Sequence, residues 1–266
     1  MSFQQQISKA AGIPASEIPA SYQIVGHVML LRLLKAKDDE TKKKLAEAVL
    51  SLYPGVRTVC ELQGSKGELR QPSITVIAGN GTEVLHKENG IIYHFDAAQV
   101  MFSKGNLFER QRLIEKIKSP ETVVDMFAGI GYFSLGLAKF SRAGKIIAIE
   151  KNPVAFRYLR NNLKINKVNF ETIFGDCLNF DVENFADRVI MGYFPGTEKF
   201  LPQAVNIAKN GAVVHYHNCY FEKDLWKKPL GEIKKSCKKA KILGKRKVKS
   251  IAPRTCHAVV DFQVLK

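Results

Sequence analysis

The sequence predicts an α/β protein, a doubly wound Rossmann-like sheet behind a small α+β module. Three observations predict it. From residue 122 onward, β-rich segments alternate with helical ones, the pattern of a parallel sheet covered on both faces by helices. Residues 123–131, Val-Val-Asp-Met-Phe-Ala-Gly-Ile-Gly, read as a buried strand entering a glycine turn that opens a helix. A second apolar strand, residues 146–150, ends in the carboxylate of Glu150, nineteen residues past Gly131. A ligand with a ribose fits between two such strand ends.

Residues 22–34 are apolar and β-rich and predict one strand. Residues 38–52 predict a helix, because Leu45, Val49 and Leu52 recur at helical steps, and Tyr53-Pro54-Gly55 stops it. Residues 56–62 predict a strand and residues 64–70 a polar turn. Residues 74–77 and 84–86 flank Gly79-Asn80-Gly81 and predict a hairpin, and residues 91–95 one more strand. A helix over 102–118 ends before Pro120. Beyond it come strands at 122–127, 145–149, 169–174, 187–192 and 211–217, with helices at 132–140, 153–165, 197–209 and 222–239. Two closing strands, near 242–250 and 256–264, predict an antiparallel edge. The domains expected are 1–98 and 99–266.

A chain of 266 residues with 45% hydrophobic residues is a globular protein with room for a sizeable core. No apolar run reaches the roughly 18 residues of a membrane span. The first residues lack the basic start and apolar stretch of a signal peptide, so a cytoplasmic protein is expected. The five cysteines stand at 60, 177, 219, 237 and 256, without metal-ligand spacing, and fit reduced thiols rather than a disulfide frame. Forty-one Lys and Arg against 25 Asp and Glu give a net charge of +16. Residues 222–249 hold 12 basic and 3 acidic residues, a net of +9 that includes Gly244-Lys-Arg-Lys-Val-Lys249. Such a run is either a solvated face or the footprint of a polyanion. In a chain basic throughout, it points to RNA.

Asp125, Phe127, Gly129 and Gly131 sit where the first strand of the sheet meets its helix. Glycines there let the backbone approach a ligand, and the helix offers free N–H groups; the alternative is a tight turn without one. The third glycine of a dinucleotide turn is replaced by Ser134, which points to S-adenosylmethionine rather than a pyrophosphate ligand. Glu150 can accept two hydrogen bonds from ribose hydroxyls, or else is merely an acid before Asn152-Pro153. Asp176 and Cys177 follow the third strand, where an acid takes the adenine amine and the next N–H contacts the ring; the alternative is a loop acid. After the fourth strand, Met191-Gly-Tyr-Phe-Pro-Gly-Thr197 predicts a turn into a helix capped by Thr197. Tyr193 and Phe194 either stack on a base or pack beneath this turn. His215 and His217 share a strand face, but no third ligand stands at a recognisable spacing, and no metal is expected. His217 and Asn218 are candidates to face a substrate or to be satisfied rim residues. Ser103, Asn106 and Arg110 cluster at the domain junction, where an Arg fork suits an amino-acid carboxylate; the alternative is a capped helix with a surface Arg.

These residues together resemble the class I methyltransferase-fold enzymes that act on guanosine 37 of tRNA. The resemblance runs from about residue 22 to the end. It includes GSKGELRQPS (64–73), the 88–112 stretch around VMFSKGN, DMFAGIGYFSLGLA (125–138), the 148–168 stretch beginning AIEKNP, GDCLNF (175–180) and MGYFPGTEKF (191–200). Two sister groups share these motifs: the N1-methylguanosine-37 methyltransferases, and the wybutosine-pathway enzymes that move the 3-amino-3-carboxypropyl arm of S-adenosylmethionine onto 4-demethylwyosine. The methyltransferases carry an Asn-Leu-Pro or Asn-Pro-Pro motif after the fourth strand. The Met191–Pro195 stretch here is similar to the transferase pattern instead, as is VMFSKGN (100–106).

The resemblance implies that Ser103 and Arg110 hold the methionine end, Glu150 the ribose, and Asp176 with Cys177 the adenine. It implies the anticodon loop of phenylalanine tRNA as partner, methylthioadenosine as co-product, and no obligate protein partner. Longer relatives carry N-terminal residues that this sequence lacks, which bears on tRNA docking and not on the cosubstrate site. No side chain is assigned as the base that removes the proton from the modified carbon. The competing readings are a guanosine-37 N1-methyltransferase and a non-catalytic RNA-binding protein.

Overall fold

The structure, a computed structural model, describes residues 1–33, 38–103 and 106–266. Its contacts divide the chain into two compact units, Met1–Lys104 and Gly105–Lys266.

The first unit opens with α1 (Phe3–Ala11), which no clear periodicity predicts, since Ile7 is its one buried residue. Its ends explain it: Ser2 and Gln5 close a reciprocal capping box, and Gly12 turns left-handed at the other end. The strand expected over 22–34 is instead a hairpin, β1 (Tyr22–Val25) and β2 (Val28–Leu31), turning at Gly26 with φ +56°; the expected strand's end at Leu34 lies outside the described residues. Asp38 caps α2 (Asp39–Leu52) by accepting from the Thr41 N–H. β3 (Thr58–Lys66) and β4 (Gln71–Gly79) run further than expected, through a register shift near Gly64, and complete a four-stranded sheet ordered β1-β2-β3-β4. Helices α1 and α2 bury Ile7, Leu45 and Val49 against Met29, Leu31 and Val59.

The hairpin expected across Gly79-Asn80-Gly81 does not form. β4 pairs with β3, whereas β5 (Glu83–Glu88) pairs with β6 (Ile91–Asp96) in a separate sheet. The Thr58 hydroxyl takes the Asn80 and Gly81 carbonyls, and a Cβ on Gly79 would fall 2.0 Å from the Arg57 carbonyl oxygen. Gly79, at φ +81°, therefore serves a close backbone approach at the end of the β3–β4 ladder, and not a two-residue turn.

The second unit is one seven-stranded sheet. Its strands are β7 (Thr122–Asp125), β8 (Lys145–Glu150), β9 (Glu171–Phe174), β10 (Ala186–Met191), β11 (Ala208–Phe221), β12 (Lys239–Ala252) and β13 (Thr255–Leu265). They lie in the order β12-β13-β11-β10-β7-β8-β9. All neighbours are parallel except β13, antiparallel to both β11 and β12, which is the expected edge. The order reverses at β7 and β10, the switch point at which open α/β sheets bind ligands.

Alternation sorts the strand residues. Val123, Ile146 and Ile190 face α3 (Leu107–Lys116) and α4 (Ser134–Phe140), through Leu113 and Leu137. Val124, Ile147 and Val214 face α6 (Leu201–Ile207) and α7 (Lys227–Ser236), through Ala204 and Ile233. Helix α5 (Pro153–Asn166), capped by Asn152 with Pro153 at its first position, lies against β8, β9 and α4.

Three expected helices shorten. Residues 102–106 precede α3, and Lys104 and Gly105 lie outside the described residues. The 197–209 helix divides into a 3₁₀ turn (Thr197–Phe200) and α6, with Pro202 in the first turn of α6, and β11 starts at Ala208. The 222–239 helix divides at Trp226, where φ is +70°. No described helix is long and apolar enough to cross a membrane.

Candidate functional site

The C-terminal ends of β7, β8 and β9 are parallel neighbours on one edge of the sheet. Glu150 joins the first two. Its Oε2 accepts from the Gly129 N–H at 2.7 Å, and its Oε1 accepts from the Asn152 N–H at 2.7 Å. A carboxylate has about four lone-pair positions, so Glu150 retains acceptor capacity for two ribose hydroxyls. Burial pushes its pKa up, against the pull of the Asn152 and Gly129 N–H groups and of Lys151. The Gly175 N–H donates to the Glu150 carbonyl at 3.0 Å, so the β9 end is tied to the same residue.

Two glycines shape the turn in different ways. Gly131, at φ +96°, is packed: a Cβ there would lie 2.6 Å from Leu135 and 3.1 Å from Leu159. Gly129, at φ +57°, meets only the movable ring of Tyr132. The residue in place of a third glycine has its own work. Ser134 is fully buried and donates to Asp125 Oδ2 at 2.6 Å, while the Phe127 N–H donates to Oδ1 at 3.3 Å. Asp125 thus holds the turn from below.

Burial raises the Asp125 pKa from 3.8 to about 6 despite those two donors, with nearby Glu150 adding to the rise. The native state therefore binds this proton more tightly than the unfolded chain does. Its contribution to stability is fully present below the unfolded value and is lost as pH rises through the folded one. We expect Asp125→Asn, which cannot ionise, to gain in thermal midpoint relative to wild type as pH rises from about 3.8 to about 6, with no further gain above that. Parallel pH curves for the two proteins would contradict this.

At the β9 end, Asp176 accepts from the Leu178 N–H at 3.0 Å and from Lys151 Nζ at 3.3 Å. Burial alone would raise its pKa, but these donors outweigh it and hold the carboxylate below its usual range. Cys177 is buried, and burial beside Asp176 pushes its thiol up to about 12, which makes it no nucleophile.

Beyond β10, the chain turns through Phe194 and Pro195. Thr197 is not the cap of the following helix. Gly196, at φ +93°, occupies that position, and the Thr197 hydroxyl donates back to the Tyr193 carbonyl. Asn218 braces this turn with its whole amide. Its Oδ1 accepts from Gly196 and Cys219 N–H groups, and its Nδ2 donates to Glu198 and to the Tyr216 hydroxyl. Half-buried Tyr193 stacks on Phe127 at 5.2 Å between centroids. Phe194 packs beneath the turn, stacked on His257 at 4.2 Å. His217, fully buried, shares a hydrogen bond of 3.0 Å with His257, and burial pulls its pKa down to about 3.

His215 belongs to a separate buried network that sequence reasoning missed. Arg188 lies 2.7 Å from His215 Nε2, and a guanidinium only donates, so that nitrogen accepts and Nδ1 donates to Asp261 at 2.6 Å. His215 is therefore neutral, in keeping with a pKa lowered chiefly by burial. Glu121 takes the remaining fork of Arg188 at 2.7 and 3.0 Å. Asp261, Arg112, Glu109 and Arg246 close a ring of alternating charge. The one signal in the sequence was the Glu109–Arg112 pair at helical spacing.

This ring corrects the reading of the basic run. Arg246 points into the protein, Lys247 pairs with Glu222, and Lys245 lies 5.6 Å over the Trp226 ring. Lys234, Lys235, Lys238, Lys239 and Lys241 remain as an exposed basic face. Of the residues expected at the methionine end, Ser103 is half-buried in the first unit, and Arg110 lies on α3 of the second, 5% exposed. Among the described residues, no group of three or more His, Cys, Asp or Glu side chains is placed to hold a metal.

Comparison with known proteins gives a consistent set of likenesses. The family model for the TRM5/TYW2 methyltransferase domain matches residues 84–243, and that for the TYW2 N-terminal domain matches residues 10–82. A curated tRNA(Phe) (4-demethylwyosine(37)-C(7)) aminocarboxypropyltransferase of Pyrococcus horikoshii is 39% identical, across 94% of this chain and 91% of its own. The tRNA (guanine(37)-N(1))-methyltransferase Trm5b of Pyrococcus abyssi is 36% identical, across 93% of this chain and 76% of its own. The crystal structure of P. horikoshii TYW2 in complex with MeSAdo superposes with a TM-score of 0.85 at 36% identity, covering 99% of this chain and 100% of that one.

Proposed function

The chain belongs to the family of the TRM5/TYW2 methyltransferase domain, and from that premise we propose that it transfers the 3-amino-3-carboxypropyl arm of S-adenosylmethionine to C7 of 4-demethylwyosine at position 37 of phenylalanine tRNA. The observation that carries this reading is the match of residues 10–82 to the TYW2 N-terminal domain, together with a likeness to the aminocarboxypropyltransferase of P. horikoshii that spans 91% of that protein, where the Trm5b likeness spans 76% of its own. S-adenosylmethionine is the cosubstrate, and tRNA is the substrate. In the reaction a C7–Cγ bond forms, the Cγ–S bond breaks with its electron pair passing to sulfur, methylthioadenosine leaves, and the C7 proton passes to a base.

The sulfonium already makes Cγ electrophilic, so the protein's contribution is mainly to position. We assign Glu150 to the ribose hydroxyls, and Asp176 with the Cys177 N–H to adenine. Phe127 and the Gly129–Gly131 turn line the path between them. Arg110 takes the methionine carboxylate. Asp125 supports the turn. Tyr193, and the turn that Asn218 braces, with Phe194 stacked on His257 and His257 paired with His217 beneath it, form the base side of the site.

The test is the co-product. With tRNA carrying 4-demethylwyosine, methylthioadenosine is expected in proportion to modified tRNA; S-adenosylhomocysteine alone would favour N1-methylation. A chain that does not bind S-adenosylmethionine would be an RNA-binding protein without catalysis. The exposed lysines of α7 and β12 are proposed to meet tRNA phosphates in the cytoplasm. The logarithm of affinity should then fall with the logarithm of salt by roughly 0.7–0.9 per contacted phosphate. A flat response would remove this face from the account.

A further inference from the structure

We infer that the charge ring Glu109–Arg112–Asp261–Arg246 is a positioning device for Arg110, holding the first turn of α3 and with it the guanidinium assigned to the methionine carboxylate. The inference rests on that assignment of Arg110.

The cap and the apolar residues of the first turn of α3 hold it weakly. Its N-cap residue, Asn106, makes no side-chain capping hydrogen bond. Its apolar residues Leu107 and Phe108 are 43% and 67% exposed. Apolar packing begins further along, at Leu113 and Ile117. A ten-residue helix has little stability of its own, and uncapped ends fray. Charge ties this end to the sheet. Glu109, 1% exposed, accepts from Arg112 at 2.9 Å and from Arg246 of β12 at 3.0 Å. Arg112 and Arg246 meet Asp261 of β13 at 3.0 and 3.1 Å. The ring thus clamps α3 to the sheet edge at residues 109 and 112. These share a helical turn with residue 110, so fixing both fixes the backbone that carries Arg110.

The device makes a distinctive prediction, because methylthioadenosine lacks the arm that Arg110 would hold. Calorimetry on the full chain compares S-adenosylmethionine with methylthioadenosine for wild type, Arg246→Gln, Arg246→Lys and Arg110→Ala. Arg246 is one-quarter exposed in its side chain, so its variants tolerate replacement better than those of Glu109. Arg246→Gln is expected to weaken S-adenosylmethionine about tenfold, the worth of one charge-assisted hydrogen bond, and methylthioadenosine by less than about twofold. Arg246→Lys, which keeps the charge but loses the fork, should fall between. Equal weakening of both ligands in Arg246→Gln would make the ring merely structural and overturn the inference. So would selective loss in Arg110→Ala with none in Arg246→Gln. An unchanged ligand ratio in Arg110→Ala would instead overturn the role of Arg110, and the inference with it.

Discussion

Glu150→Ala is expected to weaken S-adenosylmethionine binding by about a hundredfold or more, with the fold retained. Two hydrogen bonds from ribose hydroxyls to a carboxylate are each worth about 1.5–3 kcal/mol, and about 1.4 kcal/mol is tenfold in affinity. The variant also frees the Gly129 and Asn152 N–H groups that Glu150 now binds, so the turn loses its brace together with its ligand contact. Glu150→Gln, with one acceptor oxygen and no charge, should lie between. Calorimetry reads the affinity, and circular dichroism the fold. A loss smaller than about fivefold in Glu150→Ala would place the ribose elsewhere.

Asp261→Ala is expected to lower unfolding free energy by about 3–5 kcal/mol, the cost of breaking a buried pair by removing one partner. Three donors converge on this carboxylate, from Arg112, His215 and Arg246, and the change would leave them without their acceptor. Burial alone would raise the Asp261 pKa, but His215 and the two arginines hold it far below the usual carboxylate range. Its stabilising contribution is therefore present above its unfolded pKa and is lost only at strongly acidic pH. Urea denaturation followed by circular dichroism measures the change; a loss under about 1 kcal/mol would mean that water replaces the missing carboxylate.

The two halves of the chain were unequally legible. In the second unit, alternating periods of about 2 and about 3.6 residues identify every strand of the sheet. Gly129, Glu150 and Asp176 fall on neighbouring strand ends because parallel topology leaves them no other place. The first unit misled where a local signal served a non-local purpose. Gly79-Asn80-Gly81 has the composition of a hairpin turn, yet Gly79 answers the close approach of the Arg57 backbone at the start of β3. Gly26 inside an apolar run marks a turn that hydrophobicity alone reads as continuous strand.

The site was harder wherever a role depends on residues distant in sequence. Ser134 reads as a missing glycine until Asp125 is seen beneath it. Arg246 reads as one more cation in a basic run. Its inward course depends on Glu109 and Asp261, 137 and 15 residues away, and no local pattern reports that. Asn218 reads as a polar residue at a strand end, and only the structure shows its amide fully engaged by the turn it supports.

In this reaction the arm, and not the methyl group, is transferred. The direct measurement supplies S-adenosylmethionine with one isotope in the methyl and another in the carboxypropyl arm, together with tRNA bearing 4-demethylwyosine. The arm label alone is expected to enter the tRNA while the methyl label leaves in methylthioadenosine. Methyl label in the tRNA, with the arm label left in S-adenosylhomocysteine, would contradict it.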